Sequence, residues 1–273
     1  MRLAALQLNT GDDVAANLRT ASALLTQASA EGARLAALPE NFAFMGARET
    51  DKLQYAETPG QGPLQDWLRD SAARFNLYLL GGTLPLAAST GPDGRTRKVY
   101  AASLLASPAG EIVARYDKIH LFDVSVGAEH YGESRSIQAG EPCPVVADVD
   151  GVRVGLSVCY DLRFPELYRA MAAAGAQILC VPSAFTQRTG SKHWDLLTRA
   201  RAVENLCTVL APNQCGSHPG GRATFGYSRI VDDWGDIADQ CEDVPGLAMA
   251  DFDARRQATL RDTFPCLHHR RLL

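Results

Sequence analysis

Apolar and polar positions alternate over residues 2–8, the period of a strand, and Val14, Leu18, Ala21, Leu24, Leu25 and Ala28 then recur at helical spacing until Gly32. The pattern predicts a strand at 2–8 followed by a helix over 12–30. A short apolar run at 35–38 predicts a second strand. It ends in Pro39-Glu40-Asn41-Phe42, which leaves a carboxylate at a strand end. Residues 64–75 read as a helix and 77–83 as a buried strand. By composition, 87–97 (Ala-Ala-Ser-Thr-Gly-Pro-Asp-Gly-Arg-Thr-Arg) is a solvated loop. Apolar stretches at 99–106 and 112–116, joined by Ser107-Pro108-Ala109-Gly110, predict a hairpin that delivers Asp117-Lys118-Ile119-His120-Leu121-Phe122 at its end.

From 123 to 141 there is no period, only glycines and polar residues, and a long ordered loop of this kind in a compact domain commonly carries function. It contains Glu129 and Glu133. A strand at 144–149, the turn Asp150-Gly151 and the alternation of Val152, Val154 and Leu156 with Arg153, Gly155 and Ser157 predict a second hairpin. Residues 167–174 read as a helix with Pro165 near its first turn, so Cys159 falls where a strand gives way to a helix. A sharp turn there presents a side chain at the carboxyl edge of a sheet, close to free backbone N–H groups that stabilise a thiolate or an oxyanion. Further strands are predicted at 178–181 and 207–211, a helix at 194–205, a hairpin of 227–231 with 237–240, a strand at 247–252 and then an arginine-rich tail.

Strands both alternate with helices and pair as hairpins, which implies an α/β fold of mixed sheets with helices outside. No repeat, proline-rich linker or low-complexity segment divides the chain, so residues 1–273 are expected to form one domain. With 46 % hydrophobic and 21 % charged residues, the chain can bury a large core. A formal charge of -4 without a basic run argues against nucleic acid. No apolar run approaches the ~20 residues that span a bilayer, and the first residues turn polar too soon for a signal peptide, so no membrane partner and a cytoplasmic location are expected. Seven cysteines form no C-x-x-C pair and are expected to be reduced. Cys266, His268 and His269 lack a second ligand pair, and neither a metal nor a cofactor is expected.

Three strand-end residues stand out together, Glu40, Lys118 and Cys159. A thiol, a carboxylate and an ammonium at one sheet edge would be a nucleophile, its base and an electrostatic stabiliser. His120, among apolar neighbours, is an alternative partner for a Cys-His arrangement, and His193 beside Trp194 is another. Glycine-rich phosphate loops, G-x-S-x-G and H-E-x-x-H are absent from the sequence.

Leu-Pro-Glu-Asn-Phe (38–42), Tyr-Asp-Lys-Ile-His-Leu-Phe-Asp (116–123) and Val-Cys-Tyr-Asp-Leu-Arg-Phe-Pro-Glu (158–166) resemble the three signature segments of the carbon-nitrogen hydrolase (nitrilase) superfamily, in order and suitably spaced. That resemblance implies Glu40 as general base, Lys118 as oxyanion stabiliser, Cys159 as nucleophile and the Tyr160 backbone N–H as a second oxyanion donor. Gly-Glu-Ser at 132–134 is similar to the place of the family's second glutamate, which favours Glu133 over Glu129 as a fourth catalytic residue. The implied fold is a four-layer α-β-β-α sandwich that assembles as a homodimer or higher homo-oligomer.

Pro182-Ser183-Ala184-Phe185, Thr189-Gly190, His193-Trp194, the run 199–204, Asn213-Gln214-Cys215-Gly216 and the ending 268–271 are similar to the Nit branch of that superfamily, with Ser191-Lys192 as a departure. The branch implies a small-molecule substrate, the amide of an α-keto acid, with deaminated glutathione expected ahead of 2-oxoglutaramate. Phe185, Arg188, Thr189 and His193, in a stretch read as a loop over 185–194, are the expected substrate contacts.

Overall fold

In the computed structural model, which describes residues 1–91, 93–127 and 129–272 apart from the side chains of Val126 and Glu129, the chain begins with β1 (Arg2–Gln7), α1 (Val14–Ala30) and β2 (Leu35–Ala37). It continues through α2 (Pro63–Phe75), β3 (Tyr78–Leu80), β4 (Leu84–Thr90), β5 (Thr96–Ala106) and β6 (Ile112–Asp117). A two-residue pair, β7 (Ser125–Val126) with β8 (Glu129–His130), interrupts the long segment that leads to β9 (Val145–Val149) and β10 (Val152–Leu156). Then come α3 (Pro165–Ala173), β11 (Ile178–Cys180), α4 (Gln187–Asn205) and β12 (Thr208–Ala211). The small pair β13 (Cys215–Ser217) and β14 (Ala223–Phe225) precedes β15 (Arg229–Val231), β16 (Ile237–Gln240), β17 (Gly246–Asp251) and α5 (Ala254–Thr263).

Two mixed sheets result. The first runs β17-β1-β2-β3-β5-β4, with β6 on the other side of β5; the second runs β16-β15-β12-β11-β10-β9. In each, three short parallel strands form the middle, β1-β2-β3 and β10-β11-β12, and antiparallel strands flank them. The period of two divides β1 between two cores. Leu3 and Ala5 pack with Val154, Leu156 and Val209 of the second sheet, whereas Ala4 and Leu6 pack with Ala21 and Leu25 of α1 and Leu68 of α2. Tyr168 and Met171 of α3 and Trp194 of α4 cover the outer face of the second sheet. The layers are therefore α-β-β-α, and among the described residues no helix is long and apolar enough to cross a membrane.

The structure corrects the expected elements in four places. The loop over 87–97 is mostly strand, because β4 runs to Thr90 and pairs with β5 from Thr96 onward, leaving only a tight connection. Its small and polar residues hid a half-exposed edge strand. The stretch 185–194 is not a loop beyond Thr186: α4 starts at Gln187, with the Thr186 side chain accepting from the Thr189 N–H as its cap. The arginine-rich tail holds α5, capped by Asp253. Finally, α3 does not follow Cys159 directly, since a 3-10 segment, Cys159–Arg163, comes between them.

Candidate active site

The parallel strands end at one edge, and the candidate residues lie just beyond those ends. Glu40 follows β2, Lys118 directly follows β6, and Cys159 opens the 3-10 segment after β10. The first two thus come from one sheet and the third from the other. Gly82 lets the chain pass under Glu40: at φ +27° it lies so close to the Pro39 carbonyl that a side chain would collide with it. Gln214 fixes the same segment from below, its amide donating to the Glu40 carbonyl at 2.9 Å and to the Thr10 hydroxyl at 2.7 Å.

Lys118 is fully buried, and its Nζ lies 2.8 Å from Glu40 Oε1 and 2.8 Å from Glu133 Oε2. Glu133 stands on a 3-10 turn (Glu133–Arg135) in the unperiodic segment, and its Oε2 also accepts the Phe122 N–H at 2.8 Å. Burial alone would push the Lys118 ammonium down, but the Glu133 and Glu40 carboxylates outweigh it and hold it well above the usual lysine range. Burial and the nearby Glu40 push the Glu133 carboxyl up against the pull of Lys118. The structure joins Glu40, Lys118 and Glu133 in one hydrogen-bonded unit; the side chain of Glu129 lies outside the described residues.

Cys159 has φ +47°, a left-handed backbone that a non-glycine residue adopts at some cost. Its N–H is spent on the Pro182 carbonyl at 2.9 Å, which pins the turn to the chain beyond β11. Burial first, then Glu40 and Glu133, raise the thiol well above the ordinary cysteine range, while Lys118 and the Ala184 N–H act in the opposite sense. The resting group is therefore a thiol. The Tyr160 N–H belongs to the open first turn of the 3-10 segment, ahead of its first bond, from the Asp161 N–H to the Val158 carbonyl. It is a backbone donor beside the sulfur, supplied by this turn and not by the α3 terminus that the sequence suggested.

Asp161 holds the two sheets' contributions together. Its carboxylate is fully buried and accepts from the Tyr116 hydroxyl at 2.6 Å, the Val158 N–H at 2.8 Å and the His120 N–H at 3.1 Å. His120 Nδ1 lies 2.7 Å from the same carboxylate and its ring stacks on Phe164 with centroids 3.7 Å apart. His120 is thereby engaged as a clasp, away from the thiol pocket.

Cys159, Glu40 and Glu133 line a pocket of about 40 Å³ with Tyr160, Arg163, Phe185, Thr189, Phe122 and Tyr131. Of the four expected substrate contacts, Phe185 and Thr189 reach this pocket. Arg188 lines a neighbouring chamber, and His193 lines neither, its Nδ1 lying 3.0 Å from the Arg163 guanidinium. Three charged pocket residues, Arg163, Arg222 and Glu49, were not among the expected site residues. Arg163 lies over the rings of Phe185 and Tyr160 at 5.3 and 5.7 Å, and Arg222 pairs with Glu49 at 2.7 Å. Arg163 had a signal, since it belongs to the Cys159 segment; Glu49 and Arg222 had none, being far apart in unperiodic stretches.

With the geometry in place, comparison with known proteins is direct. The carbon-nitrogen hydrolase family matches residues 2–261. The chain belongs to the carbon-nitrogen hydrolase family. A deaminated glutathione amidase of Synechocystis sp. is 42 % identical over 98 % of this chain and 97 % of its own length. The crystal structure of the Caenorhabditis elegans NitFhit protein superposes with a TM-score of 0.90 at 34 % identity; the match covers 99 % of this chain and 65 % of that longer one. A mutant of the amidase from Nesterenkonia sp. AN1, which shows covalent addition of the acetamide moiety of fluoroacetamide at its active site cysteine, matches with a TM-score of 0.79 at 31 % identity over 100 % of this chain and 97 % of that one. The layered α/β sandwich expected from the sequence is the fold of these carbon-nitrogen hydrolases.

Proposed function

We propose that this carbon-nitrogen hydrolase is an amidase working through a Cys159 thioester, with Glu40 as base and acid, Lys118 and the Tyr160 N–H as oxyanion donors, and Glu133 as the residue that orients Lys118 and the departing amine. The observation that carries this reading is the fully buried Lys118 ammonium clamped between Glu40 and Glu133, the two carboxylates that line the pocket with the Cys159 thiol. Because the thiol is raised, attack needs a base beside it, and the Glu40 carboxylate takes the proton as sulfur bonds to the amide carbon. Negative charge then develops on the carbonyl oxygen, where each well-placed donor contributes about 3–4 kcal/mol in comparable sites. Glu40 returns its proton to the nitrogen as the C–N bond breaks and the amine leaves. Water, deprotonated by Glu40, next attacks the thioester, and the acid departs as the proton returns to sulfur.

The substrate we infer is the amide of a small α-keto acid, deaminated glutathione ahead of 2-oxoglutaramate. The named activity of the Synechocystis relative supports it, as does Arg163, a half-buried cation facing the pocket that suits a substrate carboxylate. Steady-state kinetics on both amides test the reading. A higher kcat/KM for deaminated glutathione supports it; a clear preference for 2-oxoglutaramate would make the protein an omega-amidase, and inactivity on both with turnover of an N-carbamoyl amino acid would overturn it.

A further inference from the structure

Thr224, on β14, lines the thiol pocket, and its hydroxyl oxygen lies 2.6 Å from Nε2 of His218. His218 is buried in the connection between β13 and β14, and its other ring nitrogen, Nδ1, lies 2.8 Å from the Thr10 carbonyl. A carbonyl oxygen only accepts, so the proton of the neutral ring sits on Nδ1 and Nε2 is a bare lone pair. Thr224 then donates its one hydrogen to His218. Its oxygen, bonded to no other group among the described residues, is left as an acceptor.

The Thr10 carbonyl that selects this tautomer is itself held in place. The Thr10 N–H donates to Gln214 Oε1 at 3.1 Å, and its hydroxyl donates to the Phe42 carbonyl at 3.2 Å while accepting from the Gln214 amide at 2.7 Å. Gln214 is also the residue that fixes the Glu40 carbonyl, so one set of bonds places the base and orients the histidine. Burial, joined by Arg222, holds His218 below the ordinary histidine range against the opposing Thr10 carbonyl, and the ring is neutral at neutral pH. Arg222 accepts the His218 N–H at its carbonyl at 2.8 Å, and its guanidinium is paired with Glu49.

Substrate chemistry decides what meets that acceptor. An α-keto acyl group carries only acceptors, its carbonyl oxygens and its carboxylate. The donor next to the reacting carbon is the N–H of the scissile amide. In a pocket of about 40 Å³ whose walls include Cys159, Glu40 and Thr224, an amide bound at the sulfur lies within reach of the hydroxyl.

We propose that Thr224 accepts the N–H of the scissile amide, and that His218 is the positioning residue that holds the hydroxyl in that sense. The inference rests on the amidase reading above and adds the group that recognises the amide nitrogen. With its N–H held, the nitrogen keeps its lone pair for the proton that Glu40 returns as the C–N bond breaks. An ester has no such hydrogen and sets an oxygen lone pair against the Thr224 oxygen, so the hydroxyl favours amides over esters.

Kinetics on an α-keto acid amide and on the methyl ester with the same acyl group test this. Thr224→Val keeps the shape and removes the hydroxyl; it is expected to lower the amide-to-ester ratio of kcat/KM by about tenfold, the size of one neutral hydrogen bond, and Thr224→Ser to keep that ratio. His218→Leu is expected to lower it by a similar factor, and His218→Gln, whose Oε1 still accepts from Thr224, to keep most of it. Because His218 acts through Thr224, the double variant His218→Leu with Thr224→Val is expected to show no greater fall than Thr224→Val alone. Nitrogen NMR of the wild-type protein at neutral pH is expected to show the His218 ring protonated on Nδ1 alone. An equal loss on amide and ester in Thr224→Val, additive losses in the double variant, or a proton on Nε2 would overturn the inference and leave the amidase reading intact. Failure of the wild type to release amine from the amide would overturn both.

Discussion

The Tyr116 hydroxyl donates to Asp161 Oδ2 at 2.6 Å, tying the strand that leads to Lys118 to the turn that carries Cys159. Because Tyr116 lies on β6 of the first sheet and Asp161 in the turn that follows β10 of the second, this bond sets where the ammonium lies relative to the sulfur. Asp161→Asn keeps the shape but turns one acceptor into an NH₂ that faces other donors. An unmatched buried donor costs about 1–3 kcal/mol, so melting temperature is expected to fall by several degrees. The expected kinetic signature is a lower kcat with KM little changed, restored neither by substrate nor by salt. Wild-type kcat in Asp161→Asn would show that the clasp stabilises the fold without positioning the site.

Cys159→Ala is expected to abolish turnover while the protein stays folded, since the change removes the nucleophile but little volume. Intact-mass spectra with a slow substrate should show an acyl adduct on wild type and none on the variant. Cys180 and Cys207 are fully buried, and burial pushes the Cys207 thiol up to about 11, so both are expected to be silent. An adduct mapped to either would remove Cys159 from its role.

For Lys118, even arginine is expected to fail. The site holds a compact ammonium 2.8 Å from each of two carboxylates with no exposed surface, and a planar guanidinium cannot reproduce that geometry. A kcat for Lys118→Arg within about tenfold of wild type, ~1.4 kcal/mol in barrier, would rule out the oxyanion role.

Glu133→Gln is expected to lower kcat more than it changes KM, because it weakens the hold on Lys118 while keeping the shape of the pocket wall. It also carries a pH signature. Burial raises the Glu133 carboxyl, so in wild type the buried cluster takes up a proton, and loses activity, above the usual carboxylate range as pH falls. The acid limb of the kcat profile should therefore move to lower pH in Glu133→Gln. An unchanged limb would mean that Glu133 does not titrate with the reaction.

Acid stability has a separate source. Glu49 is lowered from 4.5 to about 2 by Lys52 and Arg222 despite its burial. Its folded value lies below the unfolded one, so its contribution is present above about 4.5 and is lost as pH falls through about 2, an effect of roughly 2–4 kcal/mol. Glu49→Gln is expected to lower the melting temperature at neutral pH and to flatten its dependence between those two values. A variant curve parallel to wild type would place the acid-sensitive group elsewhere.

Most of what the sequence revealed concerns elements whose register is imposed by burial. In β1, β2 and β10 nearly every position is buried, and their ends could be read closely enough to place Glu40 and Cys159. Lys118 was legible because a hairpin with a clear turn delivers it. The start of α4 was hidden because Gln187, Arg188, Ser191 and Lys192 face solvent and show no apolar stripe until Trp194. Likewise, β4 carries Pro85 and a polar end, and its strand character comes from β5 beside it. The clasp at Asp161 and the Glu49–Arg222 pair join residues far apart in sequence, and no local pattern records a partner that only folding supplies.

The first strand of the chain is closed by the last. Residues from Arg2 to Gln7 pair with Asp251 to Gly246, and the Met1 ammonium reaches the Phe252 carbonyl at 2.7 Å. On the ribosome, β1 emerges long before its outer partner exists, so the first half of the protein waits with an open strand edge able to join a neighbouring chain. Closure of that edge is the contact of longest sequence separation in the first sheet, and it belongs to the slow end of folding. A chaperone that shields β1 until residue 251 has been made would raise the yield of active enzyme more than one acting on the central strands of the second sheet.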